Sequence, residues 1–195
     1  MPLELKNISK HFENKAIFKD FSYRFGERGL YAIRGESGIG KTTLLRMIAG
    51  LDNDYSGNIT GGGIGQVGFA FQEYRLFPTL NALQNLYFAF SETKSEAECK
   101  EMLYSLGFSE ADLRLYPDQL SGGMKQRISL ARAFISGYPI LLLDEPTKEL
   151  DEKNAKAVRR MIKKLSAEKL IILVSHNDDD IAELSATEIL IKKQF

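Results

Sequence analysis

The chain has 195 residues, 44% of them hydrophobic and 27% charged, which is enough apolar material for one packed domain and excludes a disordered tail. Basic and acidic residues cancel at 26 each, so net charge gives no argument for nucleic acid, whose phosphates need a basic surplus at least locally. The single cysteine, Cys99, excludes an internal disulfide framework or a cysteine-rich zinc site, and no apolar run is long enough to cross a bilayer.

Residues 1–12 carry polar and acidic side chains where a signal peptide needs an unbroken apolar region, so a soluble protein is expected. Leu3, Leu5 and Ile8 begin an N-terminal strand, and residues 17–25 form a second that ends at the turn Gly26-Glu27-Arg28-Gly29. Leu30 to Arg34 reads as a buried strand, followed by a glycine-rich loop and a helix over 41–49. Gly61, Gly62, Gly63 and Gly65 lead into a strand at 66–71. From Thr79 to Leu106 the apolar stripe of Leu80, Leu83, Leu86, Tyr87 and Phe90 predicts helix, with a second helix starting where Ser95 and Glu98 have capping-box spacing. Helices at 122–135 and 152–165 and strands at 140–143 and 170–174 complete the pattern. Alternating strands and helices predict an α/β protein on a mostly parallel sheet. The core comprises 1–75 and 136–195, interrupted by an all-helical insert at 76–135.

Gly35-Glu36-Ser37-Gly38-Ile39-Gly40-Lys41-Thr42, followed by Thr43, has the full spacing of a phosphate-binding loop between a strand and a helix. Its glycines let backbone N–H groups converge on an anion, and the helix N-terminus adds positive potential. Lys41 is then the candidate for the β- and γ-phosphates of a nucleoside triphosphate, and Thr42 for Mg²⁺. A strand-end acid must complete the cation site. Asp144 closes the strand at 140–143, and Glu145 beside it is the candidate general base toward water. Alone, an Asp-Glu pair after a strand reads as a solvated loop; the upstream phosphate loop favours the functional reading.

Leu120-Ser121-Gly122-Gly123-Met124-Lys125-Gln126-Arg127 resembles the signature motif of ABC-type ATPases. Independently of that likeness, Ser121 and two bare glycines opening a helix make a second anion site, far in sequence from the first. The resemblance covers essentially the whole chain and implies a P-loop NTPase core of the RecA-like kind with a trimmed N-terminal antiparallel β region. It implies a head-to-tail dimer in which Ser121, Gly122, Gly123 and Gln126 meet the other subunit's ATP. Gln72 matches the Q-loop glutamine, a ligand of Mg²⁺ and water, and His176 the switch histidine at the γ-phosphate. Phe12 falls where the family stacks an aromatic on adenine, although a core position suits it as well. Leu150-Asp151 matches the end of the D-loop, but Lys148 and Glu149 stand where the family usually has small residues.

The family resemblance implies ATP hydrolysis that powers solute transport through separate integral membrane subunits, with the chain cytoplasmic and peripheral on the inner face of the membrane. Residues 72–80 would lie at the groove for a membrane subunit, or else pack within the helical insert. Phe71-Gln72-Glu73, Arg75-Leu76-Phe77-Pro78 and the ending Gly-Gly-Met-Lys-Gln-Arg resemble the bacterial nitrate, sulfonate and taurine importers. A soluble ABC ATPase that remodels a partner complex uses the same motifs and stays open as an alternative. A DNA-repair ATPase would carry coiled-coil insertions, zinc modules or two heads, none of which is in the sequence. No C-terminal regulatory domain is expected, because the chain ends at Phe195, soon after His176.

Overall fold

The computed structural model describes residues 1–12 and 15–192. Three strands, β1 (Glu4–Phe12), β2 (Lys15–Arg24) and β4 (Ser56–Thr60), form an antiparallel sheet in the order β2-β1-β4. Five others form a second sheet in the order β5-β6-β7-β3-β8: β3 (Gly29–Arg34), β5 (Val67–Ala70), β6 (Ile140–Asp144), β7 (Leu170–Val174) and β8 (Thr187–Leu190). Every neighbouring pair in that second sheet is parallel. The expected α/β core with a small antiparallel annex is what forms.

All five residues of β6 and of β7 are buried, as a parallel sheet covered on both faces requires. Because successive side chains point to opposite faces, the apolar runs split between two cores. Leu141, Leu143, Ile171 and Leu173 join one core with Ile128 and Ala131 of α4 (Gly122–Ile135) and Val158 of α5 (Glu152–Leu165). Ile140, Leu142, Ile172 and Val174 join the other, with Leu44 and Ile48 of α1 (Lys41–Ile48) and with Leu5 and Phe18 of the antiparallel sheet.

The helical stretch expected from Thr79 to Leu106, with its second helix starting at Ser95, forms as α2 (Ala82–Tyr87) and α3 (Glu96–Ser105), with a loop before α2. Asn81 caps α2, accepting from the Gln84 N–H while the Gln84 side chain accepts from the Asn81 N–H. The buried Asn85 amide donates to the carbonyls of Phe77, Leu80 and Asn81, which holds the preceding segment as a loop. Ser95 and Glu98 form the capping box that their spacing predicts. A last helix, α6 (Asp178–Leu184), and β8 follow β7; neither was expected from the sequence pattern.

Candidate functional site

The loops at the C-terminal ends of β3, β5, β6 and β7 meet at one edge of the parallel sheet, the edge where open α/β sheets take their ligands. Between them is a cleft of about 330 Å³. Ser37, Gly38, Gly40, Lys41, Thr42 and Thr43 line it from the loop after β3 and the start of α1. Gln72, Asp144, Glu145 and His176 line it from the other loops, and Phe12 closes it beside Ile17. Gly35 and Glu36 lie at the back of the loop, in a neighbouring hollow with Ser175 and His176. Ile39 packs at the edge of the core. Of residues 35–43, six therefore face the cleft, and Gly35, Glu36 and Ile39 back the loop.

The loop takes its shape from glycine. Gly40, the residue before α1, has φ 109°, a left-handed backbone that side-chain-bearing residues rarely adopt. A methyl group there would also collide with Ile17 and lie 3.1 Å from Phe18 Cε2. The curl aims carbonyls as well as N–H groups at Lys41, whose Nζ donates to the carbonyls of Gly35 and Glu36 at 2.8 and 2.9 Å. Burial lowers the Lys41 pKa, opposed by the nearby carboxylates of Glu145 and Asp144. An anion in the loop offers that ammonium a fully charged partner.

Thr42 Oγ1 donates to Asp144 Oδ2 at 2.7 Å, although 102 positions separate them. Asp144 is 2% exposed, and burial raises its pKa, partly offset by the Thr42 hydroxyl and the Lys41 charge. A hydroxyl, a carboxylate and the amide of Gln72 in one cleft are hard oxygen donors, few in number, the donor set that suits Mg²⁺ held jointly with phosphate.

Glu145 has φ 53°, left-handed for a residue that carries a side chain. Its N–H donates to the Val174 carbonyl at 2.9 Å. Its two carboxylate oxygens are 3.4 Å from His176 Nε2 and 3.4 Å from the His176 backbone N–H, which donates to it. Burial raises the Glu145 pKa, with His176 acting against that rise and Asp144 adding to it. A largely buried carboxylate lining the same cleft as the phosphate loop, steered by a histidine, suits proton abstraction from water.

Phe12 is 51% exposed, so the alternative of a core position does not hold. Lys10 Nζ is 4.9 Å from the centre of its ring. That lysine is itself buried and anchored by Asp52 Oδ1 at 2.9 Å.

Ser121, Gly122 and Gly123, expected as a second anion site, do not line this cleft. Ser121 caps α4, its hydroxyl accepting from the Met124 N–H, and Gly122 and Gly123 open the helix. Gln126, grouped with them as a residue facing a second subunit, is instead buried. Its amide donates to the Glu145 carbonyl at 3.3 Å, turned into its own chain. Sequence reasoning also missed Lys148, which lines the cleft, and Asp180, which is fully buried behind it. Asp180 sits in the run Asp178-Asp179-Asp180, a pattern that gives no signal of burial.

A family model described as ABC transporter matches residues 18–148. The chain belongs to the ABC transporter family. Among similar curated proteins, the sulfate/thiosulfate import ATP-binding protein CysA of Acinetobacter baylyi is 41% identical over 99% of this chain, which spans 60% of that relative's length. The Pseudomonas aeruginosa CysA is 36% identical over 99% of this chain and 64% of its own length. An uncharacterized ABC transporter ATP-binding protein, YclH of Bacillus subtilis, is 34% identical, with 98% of this chain and 93% of the relative covered. Among solved structures, the ATP-binding cassette MJ0796, described as a dimer in a post-hydrolysis state bound to ADP and Pi, matches with a TM-score of 0.87. It is 28% identical, and the match covers 98% of this chain and 94% of that one.

Proposed function

We propose that this ABC chain binds and hydrolyses ATP to drive solute import, working as a head-to-tail dimer against separate integral membrane subunits. The observation that carries the reading is the single cleft at the sheet edge. There the phosphate loop, the Thr42–Asp144 pair and the Glu145–His176 pair face one another. Phe12 offers its exposed face to adenine. The loop amides and Lys41 hold the β- and γ-phosphates. Thr42, Asp144 and Gln72 hold Mg²⁺, which when bound draws charge from the phosphate oxygens. Glu145 takes a proton from the attacking water, and His176 keeps the carboxylate aligned and reaches toward the γ-phosphate.

Ser121, Gly122 and Gly123 lie outside that cleft at the positive end of a 14-residue helix, which supports a role toward the ATP of a second copy. Among the described residues no helix is long and apolar enough to cross a membrane. In this reading, partner subunits span the membrane and hold this chain on its inner face. The relatives named for sulfate and thiosulfate import favour import over export. Both they and the nitrate, sulfonate and taurine group that residues 71–78 resemble point to a small oxyanion as cargo. Selection of that cargo falls to the other subunits.

Glu145→Gln should keep ATP binding and lose turnover by ~100-fold or more, the scale of a general base. Lys41→Ala should lose ATP affinity itself in a nucleotide titration. Near-normal turnover of Glu145→Gln would remove the assigned base, and undiminished ATP binding by Lys41→Ala would remove the phosphate loop. Co-purification with an integral membrane protein separates transport from remodelling of a soluble complex.

A further inference from the structure

Behind the cleft, one buried carboxylate ties together the two loops that carry Glu145 and His176. Asp180 is 0% exposed. Its Oδ2 accepts the Thr147 hydroxyl at 2.5 Å and the Ser175 hydroxyl at 2.7 Å. Its Oδ1 accepts from Arg159 Nη1 at 3.0 Å. Thr147 lies two residues past Glu145, and Ser175 immediately precedes His176. One oxygen atom therefore fixes the spacing between the loop after β6 and the loop after β7.

The arrangement is built to hold. Arg159 of α5 is 2% exposed and supplies the countercharge; it also binds Glu152 Oε1 at 2.7 Å and Glu183 Oε2 at 2.8 Å. Hydrogen bonds to an ionised acceptor are roughly twice as strong as neutral ones. Asp180 also sits in the first turn of α6, where the helix end favours a negative charge. The demand for such a clamp comes from Glu145, whose φ of 53° is strained for a side-chain-bearing residue and persists only where its surroundings over-determine it. The Val174 carbonyl restrains Glu145 at its N–H, and Gln126 restrains it at its carbonyl. Asp180 restrains the chain two residues on.

We infer that Asp180 is a positioning residue for ATP hydrolysis: through Thr147 and Ser175 it sets the geometry between Glu145 and His176 without touching substrate. This rests on the hydrolytic reading of the cleft given above. Removing Asp180 itself would leave Arg159 short of a partner in the core and endanger folding. The informative variants are therefore Thr147→Val, which keeps the side chain's shape, and Ser175→Ala. Both leave the Asp180–Arg159 pair intact.

Each should lower kcat on the order of 10- to 100-fold, the cost of a misplacement near 1 Å or less. KM for ATP and the ATP dissociation constant should stay within about twofold, because the phosphate loop is untouched. Thr147→Ser, which returns the hydroxyl, should restore most of the loss. In a Glu145→Gln background, Thr147→Val should add no further loss of turnover, since the loop then has no base to position. A merely structural hydroxyl would instead give additive losses, and raised KM alongside lowered kcat. Either that pattern or kcat within twofold of the parent in both variants overturns the inference. If Glu145→Gln alone turns over normally, the hydrolytic reading falls and this inference with it. If Glu145→Gln is inactive and Thr147→Val is not, only the role of Asp180 falls.

Discussion

Two glycines of the phosphate loop, both left-handed, differ in what surrounds them. Gly38 has φ 73° and nothing within 4 Å of the position a Cβ would take. Gly40 has φ 109° and the side chains of Ile17 and Phe18 packed against that position. Gly38→Ala therefore meets only the backbone cost of a left-handed residue, about 1–2 kcal/mol. Gly40→Ala meets that cost and a collision with the antiparallel sheet, so it should destabilise the protein clearly more. Urea unfolding of the two variants checks this, with an equal loss counting against the packing argument. Gly40→Ala should also weaken ATP binding, because relief of the collision must move the residue that precedes Lys41. The same packing explains why β2 matters to the site although it holds no polar functional group. Its Ile17 and Phe18 form the floor under the loop.

At the scale of the elements, the D-loop and the signature helix are locked together within one chain. Glu149 stands where a small residue is usual, and its carboxylate lies over Gly122, where a methyl group would collide with it. The Tyr74 hydroxyl donates to that carboxylate, and Arg132 of α4 donates to the Tyr74 and Arg75 carbonyls, at 2.9 Å to the latter. Burial and then the Glu149 hydrogen bond push the Tyr74 pKa up to about 12. An anion at the N-terminus of α4 satisfies the helix dipole where the phosphate of a second copy's ATP is proposed to go. Glu149→Ser should therefore let the Glu145→Gln protein dimerise at lower ATP–Mg²⁺ concentrations, measured by size exclusion. An unchanged or higher requirement would contradict the blocking role. The same substitution should bring Tyr74 ionisation back toward pH 10, seen as a difference in spectrophotometric titration against Tyr74→Phe.

For the molecule as a whole, ligand binding at the sheet edge ties together loops from β3, β5, β6 and β7, so it should stabilise the entire fold. At ATP 100-fold above its dissociation constant the gain is about 2.7 kcal/mol. For a domain of this size that corresponds to roughly 5–10 °C in melting temperature. The shift should shrink when Mg²⁺ is chelated, because Thr42, Asp144 and Gln72 then lose their shared partner, and it should vanish in Lys41→Ala. Thermal unfolding with ATP, with and without chelator, measures this. An equal shift in both conditions would rule out the assigned cation ligands.

Local chemistry was legible in the sequence by itself. The phosphate loop, the Ser95–Glu98 box and the ends of α4 and α5 each depend on residues within a few positions of one another. The strand cores were legible as runs, but not which face each residue takes, because a buried run such as Ile140 to Leu143 carries no polar alternation. Only the fold divides that run between two cores. Asp178-Asp179-Asp180 reads as solvated charge, yet Asp180 is sealed in, because Arg159 arrives from α5, 21 positions earlier, to neutralise it. Tertiary structure likewise left Phe12 half exposed at the cleft, turned Gln126 inward to Glu145 and folded Glu149 onto Gly122. Each of these outcomes depends on a partner distant in the chain, and the types of residue present, read in order, do not specify which distant groups the packing will bring within a hydrogen bond.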